Sequence, residues 1–288
     1  MHSVPAEVSV PLAVRLLLGR AAVQVIAAEV GADLLHIKGN AVDKVLRERD
    51  APGLDIDVMV RPTDLPRLHD ALVQHGWVVY SSFIYGSPYG HAQTYRHPDW
   101  GYLDLHRMFP GIRLDPEKAF DVLWHDRVQR EFAGTVAAVP SLTAQAVLLV
   151  LNDVRSRKAK RAMKRWVDRP GLDRAEVMEL VGRLDARVAF AAATRDLERY
   201  RGERDYRLWK GITEGSTRTG EWLARVRAAR TLREALGILV RAPLANVERL
   251  THQLGRSPTR AEVLRATAMR PARALRDLSA GVRRRVRP

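Results

Sequence analysis

The chain of 288 residues contains no cysteine. Disulfides, thiolate zinc sites and a cysteine nucleophile are therefore excluded. Aromatic residues make up only 6% of the sequence, yet 46% of it is hydrophobic, enough for a packed core. No apolar run reaches the roughly 20 residues that span a bilayer, so no membrane partner is expected. The N-terminus has no basic segment followed by an apolar run and a small-residue cleavage site, which predicts a cytoplasmic location. Also missing are a Gly-x-Ser-x-Gly elbow, a Walker P-loop and a dinucleotide glycine fingerprint, and with them any support for those enzyme classes. The last deficit is of acids. Residues 151–288 hold 34 Lys+Arg against 16 Asp+Glu, net +18, while residues 1–150 hold 14 against 17, net −3.

That asymmetry points to a polyanion partner for the C-terminal half, or to Arg-rich helices with a solvated face. Local pattern divides the chain at about the same place. In the first half, residues 11–30 carry apolar positions at helical spacing and end at Gly31. A strand is expected over 33–37, a helix over 41–49 with Asn40 as its N-cap, and a turn at Pro52-Gly53 before a strand at Asp55. Pro62-Thr63-Asp64 opens a helix to His75, closed by Gly76. Strands are expected over 77–83, 91–97, 102–107 and 128–139, the last bent at Gly134, with a loop through Gly86 to Gly90. From Ser141 strand signals stop. Helical periods cover 142–154, 159–167, 174–184, 187–200 and 220–239, and Arg283 to Arg287 forms a basic end. The expected fold class is α+β, a mixed sheet with flanking helices over 1–140, followed by a basic helical region over 141–288.

The chemistry is concentrated in Asp55-Ile56-Asp57, within the apolar run from Leu54 to Val60. Residues two apart in a strand share a face, so the two carboxylates converge while Ile56 and Val58 turn to the core. Asp104, between Leu103 and Leu105, sits in a second strand-like stretch that a sheet would bring alongside. Three like charges that close call for a hard divalent cation. His106 is two residues beyond Asp104, hence on its face, and His91 opens another strand; both are accessory candidates for proton transfer or ligation. The turn at Lys38-Gly39-Asn40 offers backbone N–H groups to an anion, with Gly39 allowing close approach and Lys38 adding a charge. Arg47 and Arg49 precede the acidic strand and are accessory candidates to pair with its carboxylates or with nucleotide.

The ordered set Ile37-Lys38-Gly39-Asn40-Ala41, Leu54-Asp55-Ile56-Asp57-Val58-Met59-Val60 and Tyr102-Leu103-Asp104-Leu105-His106 resembles the DNA polymerase β nucleotidyltransferase superfamily, and within it an uncharacterised bacterial nucleotidyltransferase-like family. The superfamily commonly has Gly-Ser or Gly-Gly where this chain has Gly39-Asn40. The resemblance covers roughly the first half. It implies a polymerase-β-like core that transfers NMP from a nucleoside triphosphate such as ATP and releases pyrophosphate. It also implies that Asp55 and Asp57 hold Mg²⁺ (or Mn²⁺) with the nucleotide phosphates, and that Asp104 completes the ion that activates the acceptor. The acceptor is open among RNA, peptide and small molecule. The basic run Arg155, Arg157, Lys158, Lys160, Arg161, Lys164 and Arg165, with Trp166 inside it, suits a triphosphate or acceptor clamp, or an RNA backbone. The alternatives are a catalytically silent polyanion- or RNA-binding protein on the same fold, and a toxin-like enzyme that modifies tRNA.

Overall fold

Eighteen residues that are apolar nearly all round form α1 (Leu12–Glu29). The helix ends where Ala32 N–H donates to Ala27 O and Gly31 N–H to Ala28 O, the double bond of a Schellman cap. The computed structural model describes residues 10–47, 53–84, 90–167, 171–215, 218–229, 231–241, 245 and 247–269. The loop expected at Gly86 and the basic end from Arg283 fall outside them, as do Arg49 and Pro52.

The fold is mixed α+β. Seven strands are described: β1 (Leu34–His36), β2 (Ile56–Val60), β3 (Val78–Ser81), β4 (Ala92–His97), β5 (Gly101–His106), β6 (Val128–Phe132) and β7 (Thr135–Val139). The first five make one sheet in the order β1-β2-β5-β4-β3, and β6 and β7 make a separate hairpin. Within the sheet only β2 and β5 run parallel; the other neighbours are antiparallel. One face of the sheet meets α1 and α2 (Leu65–Gln74) in a core that joins Leu16, Val23 and Ile26 to Ile56, Val58, Leu103, Leu105 and Tyr95. Burying such side chains contributes roughly 1.5–3 kcal/mol each. β2 is buried along its whole length. The opposite face of β2 and β5 therefore carries Asp57, Asp104 and His106.

Several expectations change. The segment after Asn40 is not an α-helix but two 3₁₀ turns, Gly39–Ala41 and Lys44–Leu46. Val42 between them is extended, and the Asp43 carboxylate accepts from Val45 N–H, so a local side-chain bond restarts the chain where a helix would have continued. Asn40 lies inside the first turn and makes no cap. Residues 128–139 are a hairpin turned at Ala133-Gly134, both in the left-handed region, instead of one bent strand. A helix absent from the sequence reading, α3 (Pro116–His125), starts at Asp115, whose carboxylate accepts from Glu117 N–H and Lys118 N–H. It is tied down by Arg61, which pairs with Glu117 at 3.0 Å, Asp121 at 2.6 Å and Asp33 at 3.0 Å while lying over the Phe120 ring.

The chain divides into two compact units: residues 1–109, 114–145 and 170–176, and residues 110–113, 146–169 and 177–288. The described part of the second is helical. It draws on α4 (Leu142–Arg155), α5 (Ala159–Val167), α6 (Arg174–Arg183), α7 (Arg187–Thr194), α8 (Tyr206–Glu214), α9 (Arg218–Ala228), α10 (Leu232–Arg241) and α11 (Val247–Leu254), with residues 260–269 also helical. The expected 187–200 helix breaks at Arg195, which is left-handed, and resumes as a 3₁₀ turn; 220–239 is two helices. Among the described residues no helix is long and apolar enough to cross a membrane.

α1 crosses the sheet at Gly19, where a Cβ would meet Ile56 Cδ1 at 2.7 Å and Trp100 Cβ at 3.2 Å. Gly19→Val should therefore push the helix off the sheet and cost about 2–3 kcal/mol. Urea unfolding would show it as a lower midpoint; an unchanged midpoint would mean that the helix does not bear on β2 at this point.

Candidate metal and nucleotide site

Asp57 and Asp104 are register partners across the parallel β2–β5 ladder, so their side chains leave the same face side by side. His106 follows on that face. One carboxylate oxygen each from Asp57 and Asp104 and one ring nitrogen of His106 lie within 4.8 Å of one another. Asp57 is 5% exposed and His106 1%. Asp57 is thus a buried charge on a central strand, not a solvated one at an edge. Thr94, opposite Asp104 on β4, donates its hydroxyl to Asp104 Oδ1 at 2.6 Å and orients that carboxylate.

Lys38, just beyond β1, brings its ammonium to Asp57 Oδ1 at 2.5 Å. The same oxygen is 3.1 Å from His106 Nε2, which is itself 3.4 Å from Lys38 Nζ. Burial alone would raise the Asp57 pKa, but the Lys38 ammonium and the His106 hydrogen bond outweigh it and hold the carboxyl far below its ordinary range. Burial and the nearby Lys38 charge push the His106 imidazole down, against the pull of Asp57. Phe109 stacks on the His106 ring with centroids 6.0 Å apart, and the His91 ring lies 5.2 Å away on another side.

Asp55 stands just before β2 and is less buried than Asp57. It is outside the tight group, but it feels both Asp57 and Asp104. Burial first and then those two charges raise its pKa to about 6. The preceding loop reaches the Gly39 turn, where a Cβ on Gly53 would stand 3.7 Å from Gly39 Cα. Gly39 itself has φ of 62°, a conformation that suits glycine.

Two arginines that sequence reasoning passed over hold this turn. Arg20, on the core-facing side of α1 and 1% exposed, donates to Lys38 O at 2.7 Å and Asp57 O at 3.5 Å and lies 3.2 Å from His36 Nδ1. Arg130 on β6 donates to the carbonyls of Asn40, Ala41 and Val42 at 2.9–3.2 Å. The signal for Arg20 was a lone charge at an apolar position, between Leu16 and Val23 at helical spacing. For Arg130, Thr94 and Phe109 no local signal existed. Arg47 donates to Val42 O and faces the turn instead of the carboxylates. In the basic run, Arg161 pairs with buried Asp153 and Arg155 bonds Asn152, while Arg157, Lys158, Lys160 and Lys164 are exposed. The side chains of Arg165 and Trp166 fall outside the described set.

The donors fit a divalent cation. Two carboxylates suit Mg²⁺ or Mn²⁺, and the imidazole leans toward the latter. His106 turns Nε2 to Asp57 Oδ1, while its Nδ1 is buried with no hydrogen-bond partner among the described residues.

No family model matches the sequence. No curated protein matches it either. Among solved structures, the lincomycin-bound lincosamide antibiotic adenylyltransferase LnuA aligns with a TM-score of 0.37 at 14% identity, over 52% of this chain and 96% of that one. A likeness that slight carries no argument about this chain.

Asp55 gives a test of the electrostatics. Its folded pKa is about 6 against an ordinary 3.8. Between those values the folded state binds more protons, so its contribution is present below pH 3.8 and lost as pH rises through 6. Asp55→Asn should thus be more stable than wild type at pH 7.5 by about 1–2 kcal/mol, below the full linkage value because the carboxyl is only partly buried. The gap should close near pH 4. Urea midpoints at pH 4, 5, 6 and 7.5 measure it; destabilisation at every pH would refute the like-charge account.

Proposed function

We propose that the protein is a divalent-metal-dependent nucleotidyltransferase, transferring NMP from a nucleoside triphosphate to an acceptor hydroxyl with release of pyrophosphate. The observation that carries this is the in-register pair Asp57 and Asp104 on adjacent strands, with a third carboxylate, Asp55, at the mouth of the same strand. Asp57 and Asp104, with His106, would hold the ion, and Asp55 would join it with the nucleotide phosphates. When bound, such an ion, Mg²⁺ or Mn²⁺, neutralises triphosphate charge and lowers the pKa of the attacking hydroxyl. Asp57 is ionised throughout the neutral range, which the task requires. Thr94 fixes Asp104 through Oδ1. The turn at Lys38-Gly39-Asn40, rigidified by Arg20 and Arg130, offers the phosphates a close main-chain approach at Gly39. The oxygen of the acceptor forms a bond to the α-phosphorus as the bond to the β-phosphate oxygen breaks, and the hydroxyl proton leaves toward Asp104. The fold family would be the polymerase-β-like one, and the exposed Arg157, Lys158, Lys160 and Lys164 of the helical region suit a polyanionic acceptor such as RNA.

The test is transfer from each α-labelled NTP, with Mg²⁺ or Mn²⁺, into RNA and protein of a bacterial extract, alongside pyrophosphate release. Asp57→Asn should lower turnover by at least about 10³-fold, some 4 kcal/mol of transition-state stabilisation, and EDTA should abolish it. Label in RNA or in protein names the acceptor class; pyrophosphate without label means a small molecule. Neither signal, with salt-sensitive RNA binding that Asp57→Asn leaves intact, would replace this proposal with a silent polyanion-binding protein.

A further inference from the structure

Asp57 Oδ1 is already engaged by a cation. Lys38 Nζ lies 2.5 Å from it and 3.4 Å from His106 Nε2, so the ammonium touches two of the three residues whose donor atoms group together. A divalent ion held by the Asp57 carboxylate would lie close to that ammonium, whichever oxygen it took. An ammonium and a divalent ion on one buried carboxylate repel strongly, because little solvent is there to screen them. We propose that Lys38 is an exchangeable counter-ion, which leaves Asp57 when a divalent cation binds and is thereby freed to meet the triphosphate. This rests on the metal-site reading above.

The surroundings are built for such an exchange. Arg20 grips the Lys38 carbonyl at 2.7 Å, so the main chain stays fixed while the four-carbon stem swings. Arg20 does not replace the ammonium. Its hydrogen bonds reach the carbonyls of Asp57 and Lys38 and the His36 ring, not the Asp57 carboxylate. The Lys38 side chain is 16% exposed, so part of it already meets solvent, and the Phe109 ring lies 6.0 Å from its ammonium. Metal and nucleotide would then bind as a coupled pair. The ion alone must dislodge Lys38 with nothing to receive it, whereas a triphosphate arriving with the ion supplies the ammonium with a new partner.

The experiment is a Mn²⁺ titration without nucleotide, with free Mn²⁺ followed by electron paramagnetic resonance, on wild type, Lys38→Met and Asp57→Asn. Lys38→Met should bind Mn²⁺ at least tenfold more tightly than wild type, and Asp57→Asn should lose the site. Equal or weaker binding by Lys38→Met, with binding still lost in Asp57→Asn, overturns the exchange and leaves the metal site standing. Failure of all three to bind Mn²⁺ overturns both. Should Lys38→Met not fold, wild type alone decides. Acetylation of Lys38, read by mass spectrometry, should speed up several-fold at saturating Mn²⁺, and an unchanged rate rejects the exchange.

Discussion

One buried guanidinium joins the two chain segments on which the site is built. Arg20 leaves the core face of α1 and donates to the carbonyls of Lys38 and Asp57, one just beyond β1 and one near the start of β2. Desolvation lowers its pKa to about 10, the Asp57 and Asp55 charges working against that, so it remains a cation at neutral pH. Its other neighbour, His36, is held neutral by burial and by the same guanidinium, and lies 3.3 Å from Gln24 Oε1 on the next turn of α1. A charge this deep persists only because carbonyl oxygens accept from it and the Asp57 and Asp55 charges act on it. Helix, strand end and acidic strand are thereby held in one hydrogen-bonded knot, and the position of Lys38 follows from it.

Charge is laid out in depth from this knot outward. Arg20 lies behind the sheet, Asp57 in it, Lys38 and His106 against its carboxylate, and Asp55 nearer the surface with an elevated pKa. The inner carboxyl is fully compensated and the outer one only in part. A site whose outermost acid is under-neutralised attracts a cation there, while the compensated inner acid keeps the fold intact in the meantime.

The legible part of the sequence was the part with period two. Asp57, Asp104 and His106 stand in apolar runs whose alternation assigns each side chain to a face, and the core residues Ile56, Val58, Leu103 and Leu105 follow by the same rule. What remained hidden was joined over long sequence distances. Arg20 reaches across 37 residues to Asp57, and Arg130 across 88 to Val42; no window of local pattern contains either. The misjudged helix after Asn40 failed for a local reason, since Asp43 offered the backbone a competing bond. α3 was readable from Asp115-Pro116-Glu117 and was overlooked because the apolar signal behind it is short.

The parallel pairing of β2 with β5 has a consequence for how this architecture tolerates change. The lateral spacing of Asp57 and Asp104 is the repeat of a hydrogen-bonded ladder, and neither residue is presented by a loop. Insertions in the turns of the 61–100 connection, outside α2 and the β4 strand that pairs with β5, can accumulate without altering that spacing. A slip of β5 by one residue is different in kind, since it would set Leu103 or Leu105 beside Asp57 and turn Asp104 into the apolar core. Diversity in this design therefore belongs to segments that never touch the ladder, and the pairing of two short strands is its inheritance.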